Sequence, residues 1–294
     1  MQNLWVRLLA AMSGVALLGV AALYVLGSML VAPDPQVLPT PPDVEEVAVA
    51  SASGTALAGW LVRAKTPEPH ATIVLLHGIR GDRRGVLGRA RLLAEAGYDA
   101  LLVDLQAHGE SEGEAITFGH RERHDAIGAV RYARVRLPGK PVGLLGRSLG
   151  GAAAVLAGAD LGADAVVLEG VYADIASATE NRLRMRVGPL AALGTPLLLP
   201  QLEWRWGISP DDLRPVDRID DLGAPVLIVA GTEDRHTTAA DTRRLAAAAE
   251  PSATELLWIE GAAHENLFAY DRATYRSRVL GFFYHHLRTD STDA

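Results

Sequence analysis

The chain has 294 residues, 49% hydrophobic and 21% charged, a balance that fits a folded globular protein and excludes a disordered one. A formal net charge of −7 argues against nucleic-acid binding, which favours basic surfaces. There is no cysteine, so disulfides, thiolate metal sites and cysteine nucleophiles are excluded.

The first predicted element is apolar. Leu8 to Ala32 are 25 residues whose one ionisable group is the phenol of Tyr24. As a helix they would rise about 37 Å, against roughly 30 Å for the hydrocarbon core of a bilayer. A cleavable signal peptide carries a shorter apolar core, about 7–15 residues. The small-x-small cleavage pattern is also poor, because Pro33 follows Ala32. Residues 1–32 therefore read as an uncleaved, single-pass membrane anchor. Arg7 is the near cation, and the positive-inside bias predicts a cytoplasmic N-terminus and an extracytoplasmic main domain. Prolines 33, 35, 39, 41 and 42 predict a stiff tether over 33–43 that holds the domain off the bilayer.

From Val44 onward, short apolar runs alternate with helical stretches. Val44–Ala50 and Leu57–Ala64 read as an opening antiparallel pair. Further strands are expected at Thr72–Leu76, Ala100–Leu105, Val142–Leu145, Ala165–Leu168, Pro225–Ala230 and Thr254–Ile259. Most are continuous in Val, Leu, Ile and Ala, as parallel strands buried on both faces require. Helices are expected around Gly85–Ala96, His120–Arg136, Leu149–Ala159, Ala239–Ala249 and Asp271–Leu287. The alternation predicts a doubly wound, mostly parallel α/β sheet over 44–288, followed by a short tail at 289–294. Residues 181–207, rich in Leu, Pro and Arg, are too long for an ordinary connection and read as a small helical lid.

The candidate chemistry sits at strand ends, where such sheets bind ligands. Gly146-Arg147-Ser148-Leu149-Gly150 is a G-x-S-x-G motif between an apolar strand and an alanine-rich helix. A sharp strand-to-helix turn exposes the serine hydroxyl at the positive end of a helix. A serine needs a base, and His264 follows the last strand. The base needs a carboxylate to fix its tautomer, and Asp234 follows Pro225–Ala230, with Glu169 as a reserve. The order Ser148, Asp234, His264 is the one this type of sheet uses. The loop His77-Gly78-Ile79-Arg80-Gly81 suggests an oxyanion hole from the amides of Ile79 and Leu149, with His77 holding the loop. His120 and His124 stand four apart, but Arg121 occupies the place where a zinc-protease signature needs Glu, so no metal site is predicted. His285-His286 reads as surface.

On these motifs the chain resembles the α/β-hydrolase superfamily, and within it the membrane-tethered serine hydrolases of the BEM46/ABHD13/ABHD17-like type. The matching segments are Leu75-Leu-His-Gly78, Val103-Asp-Leu-Gln-Ala-His-Gly-Glu-Ser-Glu-Gly113, Leu145-Gly-Arg-Ser-Leu-Gly-Gly151, Val167-Leu-Glu-Gly170 and Gly231–Asp234 with His264, over about residues 70–285. The resemblance implies hydrolysis of an ester or thioester through an acyl-enzyme, without a cofactor, and the anchor suggests a small-molecule or lipid-like ester substrate. Family members often carry Asp-x-Arg-Gly before His-Gly, whereas Gln106 and Ala107 stand here, which alters a supporting loop. A peptidase, a non-hydrolytic acyl transferase and an inactive binding protein on the same fold remain alternatives, and the sequence is silent on oligomeric state.

Overall fold

The computed structural model describes residues 2–288, and the predicted tail at 289–294 lies outside them. Helix α1 (Gln2–Val31) is followed by the opening strands β1 (Glu45–Ala50) and β2 (Ala56–Val62). Then come β3 (Thr72–Leu76), α2 (Arg84–Glu95), β4 (Asp99–Val103), α3 (Glu122–Arg136), β5 (Val142–Arg147), α4 (Leu149–Ala157) and β6 (Ala165–Glu169). Three helices are inserted next: α5 (Ile175–Val187), α6 (Ala191–Leu198) and α7 (Pro200–Trp206). The chain closes with β7 (Val226–Gly231), α8 (Ala239–Ala247), β8 (Thr254–Ile259) and α9 (Arg272–His286).

The strands form one sheet in the order β8-β7-β6-β5-β3-β4-β2-β1. β1 and β2 pair antiparallel, as does β2 with β4, and every other pairing is parallel. The strand order reverses between β3 and β5, which opens a crevice at their carboxyl ends. Alternate side chains of each central strand face opposite layers. On β3, Val74 and Leu76 pack with Val130 and Leu149 on one face. Ile73 and Leu75 pack with Leu93 and Phe283 on the other. Each fully buried side chain of this size contributes about 1.5–3 kcal/mol, so both faces specify the register.

Three expectations change. Residues 33–43 do not hold the domain away. Asp34–Pro35 pair in parallel with His108–Gly109, and the Leu38 amide donates to Glu110 at 3.0 Å with the Leu38 side chain buried. The prolines enforce an extended backbone, and an extended backbone can lie along a domain as well as span from it. The helical insertion starts at Ile175, not 181, because the Asp174 side chain caps α5 by accepting from the Ser177 amide at 2.8 Å. The last turns of α1 rest on the domain, with Val31 buried and its carbonyl accepting from Ile116 N–H at 2.9 Å.

Candidate active site

Ser148 occupies the turn between β5 and α4 at φ 49° and ψ −109°, a conformation that side chains other than glycine avoid. Its neighbours permit it. A Cβ on Gly146 would lie 2.6 Å from Gly151 Cα, and one on Gly150 would lie 2.7 Å from the Leu76 carbonyl. The Ser148 amide donates to Glu169 O at 2.7 Å, which ties the turn to β6.

His264 lies in the loop after β8, and this loop clasps the one after β7. Thr232 N–H donates to Ile259 O at 3.1 Å, and Glu233 N–H to Ala262 O at 2.8 Å. Asp234, between them, is locked on both oxygens. Oδ1 accepts from the amides of His236 and Thr237 at 2.7 and 2.9 Å, and Oδ2 from Thr237 Oγ1 at 2.6 Å. The same Oδ2 lies 2.7 Å from His264 Nδ1, and His264 Nε2 lies 3.3 Å from Ser148 Oγ. Burial pushes the Asp234 carboxyl up, but the hydrogen bonds from His264 and Thr237 outweigh it and hold the group below its ordinary value. An ionised Asp234 keeps the proton on Nδ1 and leaves the Nε2 lone pair facing the serine.

Glu169, the reserve carboxylate, is committed elsewhere. It accepts from Arg89 Nε and Nη2 at 2.8 and 2.6 Å and from the Tyr275 hydroxyl, all buried beneath the site. Glu233 projects to solvent. His77 is fully buried, and burial next to His108 pushes it down to about 3, so its ring is neutral. Its Nε2 accepts from Leu105 N–H at 3.0 Å and its Nδ1–H donates to Gly78 O at 2.8 Å. The ring thus staples the loop after β3 to the end of β4. A Cβ on Gly78 would lie 3.4 Å from Ser148 Cβ, which measures how closely this loop approaches the serine. Among the described residues, neither Ile79 N–H nor Leu149 N–H donates to a protein acceptor.

The loop arginines are paired: Arg83 with Asp104 and Glu110, Arg84 with Asp82 at 2.7 Å, and Arg80 with the Met29 carbonyl of α1. Pattern reading missed His236. Its ring centroid lies 4.9 Å from that of His264, and burial together with the neighbouring His264 imidazole holds its pKa below the usual value. Its place two residues after Asp234 was the available signal.

Ser148 opens into a cavity of about 380 Å³, an ordinary size for a small-molecule site. The walls are apolar side chains of Ile79, Phe118, Ile175, Leu183 and Leu198, together with Leu26 and Leu30 of α1. Arg182, Arg186 and His236 supply the basic groups, and no carboxylate lines the cavity among the described residues.

A family model described as serine aminopeptidase, S33, matches residues 67–214, just over half of the chain. The uncharacterized protein YqkD of Bacillus subtilis is 27% identical over 232 residues, 76% of this chain and 75% of that protein. The Pyrococcus furiosus esterase Pf2001 superposes with a TM-score of 0.70 at 18% identity, covering 87% of this chain and 99% of that one. XC6422 of Xanthomonas campestris, an α/β serine hydrolase without a lid, superposes at 0.59 with 16% identity, covering 85% and 98%. At these identities the structural likenesses establish the α/β-hydrolase fold.

Proposed function

This chain belongs to the α/β-hydrolase family described as serine aminopeptidase, S33, and from that premise we propose that it is a membrane-anchored serine hydrolase acting on a carboxylic ester or thioester. One observation carries the reading. Asp234, His264 and Ser148 stand in hydrogen-bonded sequence, at 2.7 and 3.3 Å, and Ser148 opens into a mostly apolar cavity. The 3.3 Å contact suits a resting site, because such bonds tighten when substrate is bound. His264 Nε2 takes the Ser148 proton as Oγ attacks the carbonyl carbon. The resulting oxyanion accepts from the amides of Ile79 and Leu149 at the start of α4. His264 then protonates the leaving alcohol or thiol, and water hydrolyses the acyl-serine by the same steps. No cofactor enters this scheme. The membrane-anchored group named above fits best, because α1 contains a stretch, Ala11–Val31, long and apolar enough to cross a bilayer, with a mean hydropathy of 2.2. Its docked last turns speak for an anchor over a removable leader.

The family description favours a second reading, an aminopeptidase. Such an enzyme must hold a substrate ammonium, for which a carboxylate is the natural partner. The cavity offers Arg182 and Arg186 instead, which favours a neutral or anionic acyl substrate. The test is fluorophosphonate labelling and ester hydrolysis by the full chain in detergent, beside Ser148→Ala. The variant should lose all labelling and roughly 10⁴-fold or more in rate. Full activity in folded Ser148→Ala would refute the assignment, and turnover of amino-acid amides in preference to esters would favour the peptidase.

A further inference from the structure

The anchor helix enters the proposed substrate site. Leu26 and Leu30 of α1 line the same cavity as Ser148. The contact between α1 and the inserted helices is built from both sides. Gln201 Nε2 donates to Leu23 O at 3.0 Å, and Arg205 Nη2 to Ser28 Oγ at 2.9 Å. Tyr24 stacks on Trp204 with ring centroids 6.0 Å apart, and the Arg205 guanidinium lies 4.5 Å from the Tyr24 ring. At Gly27 the helices are so close that a Cβ would meet Gln201 Oε1 at 2.3 Å.

Length then fixes the depth of this contact. From Leu8 to Ala22, α1 spans about 22 Å, short of the roughly 30 Å hydrocarbon core. Continuing to Ser28 brings it to about 31 Å. The bilayer boundary must therefore fall beside the turns that touch α7. Tyr24, Trp204 and Arg205 cluster there, and aromatic and arginine side chains suit that boundary, with apolar bodies inside it and polar ends in water. On the outer face of the insertion, Leu190, Leu193, Leu197 and Trp204 are 56–67% exposed, next to α1. Leu193 and Leu197 are one helical turn apart on α6, so they present one face. An apolar face of this kind in water is costly, whereas in the acyl boundary of a leaflet it is buried.

We infer that the inserted helices rest in the leaflet where α1 ends, and that the substrate is a lipid-borne acyl ester whose chain passes from that leaflet into the cavity along Leu26 and Leu30. The chain then never crosses water. The inference rests on the serine-hydrolase reading and adds the source and class of substrate to it.

The test uses the full chain in phosphatidylcholine vesicles, with p-nitrophenyl laurate dissolved in the bilayer and p-nitrophenyl acetate in the aqueous phase. Leu30→Trp narrows the chain path and should lower the laurate-to-acetate ratio of kcat/KM by roughly 10–200-fold, the range a hydrophobic pocket discriminates. The exposed pair Leu193→Glu/Leu197→Glu should lower the same ratio by lifting the insertion off the leaflet. If Leu30→Trp fails to fold, this pair alone decides. An unchanged ratio in the folded variants overturns the inference, as does wild-type protein that cleaves acetate and not laurate. Wild-type protein that cleaves neither ester and takes no fluorophosphonate overturns the hydrolase reading, and the inference with it.

Discussion

Around His264, single residues set the geometry by what they leave out. Gly170, just after β6, has φ 57°, and a Cβ there would lie 3.2 Å from His264 Cε1. Gly170→Ala would strain the backbone and push the imidazole off the Ser148–Asp234 line. A misplacement of about 1 Å can cost roughly 100-fold in rate, so the variant should lose about 10–100-fold in kcat while remaining folded. Steady-state ester hydrolysis beside a circular dichroism spectrum would check this. Gln106 and Ala107 show the same economy in a different place. Ala107 adopts φ 62°, a conformation that favours glycine, and the Gln106 amide and side chain both donate to the Asp125 carboxylate.

Elements that look peripheral in the sequence turn out to be part of the domain. Val31 and Leu38 are buried, and the strand-like pairing of Asp34–Pro35 with His108–Gly109 closes over the loop before α3. Removing residues 1–40 would strip both side chains, each worth about 1.5–3 kcal/mol. Removing residues 1–22 would leave every one of these contacts. The longer truncation should therefore melt roughly 5–20 °C below the shorter one in thermal unfolding in detergent. Equal melting temperatures would show the docked segment to be energetically idle. The inserted helices behave alike: the Asp174 cap and the Arg244–Asp174 ion pair at 2.9 Å hold α5 to α8, so the cover is tied to the domain at its root.

For the molecule as a whole, one buried carboxyl should shape stability against pH. Burial pushes Asp125 up to about 7 from 3.8, more than the hydrogen bonds from Gln106 pull it down. A carboxyl with a raised folded pKa favours the folded state when protonated. That contribution is complete below pH 3.8 and is lost as pH rises through about 7. Thermal stability should accordingly decline as pH rises from 3.8 to about 7 and level off above that. Gln106→Arg supplies a cation beside Asp125 and should flatten the decline, and a profile identical to wild type would exclude Asp125 as its source.

Much of the architecture was legible because it rests on local pattern. Thr72–Leu76 and Thr254–Ile259 are bounded correctly by their apolar runs, and the other expected strands and helices of the sheet layers fall within one or two residues, whereas the insertion begins at Ile175 and not at 181. The motif order placed Ser148, Asp234 and His264 at three strand ends, and these side chains do lie within hydrogen-bond reach. Hydrophobic period and turn chemistry act over a few residues, so the sequence by itself determined the α/β alternation, the sharp serine turn and the apolar length of α1. Only the tertiary structure decided that Glu169 belongs to Arg89, that the His236 ring packs against His264, that residues 33–43 lie on the domain, and that Leu26 and Leu30 wall the cavity. Those contacts join residues tens to hundreds of positions apart. Their partners are set by how helices and loops pack on the finished sheet, which no local pattern encodes.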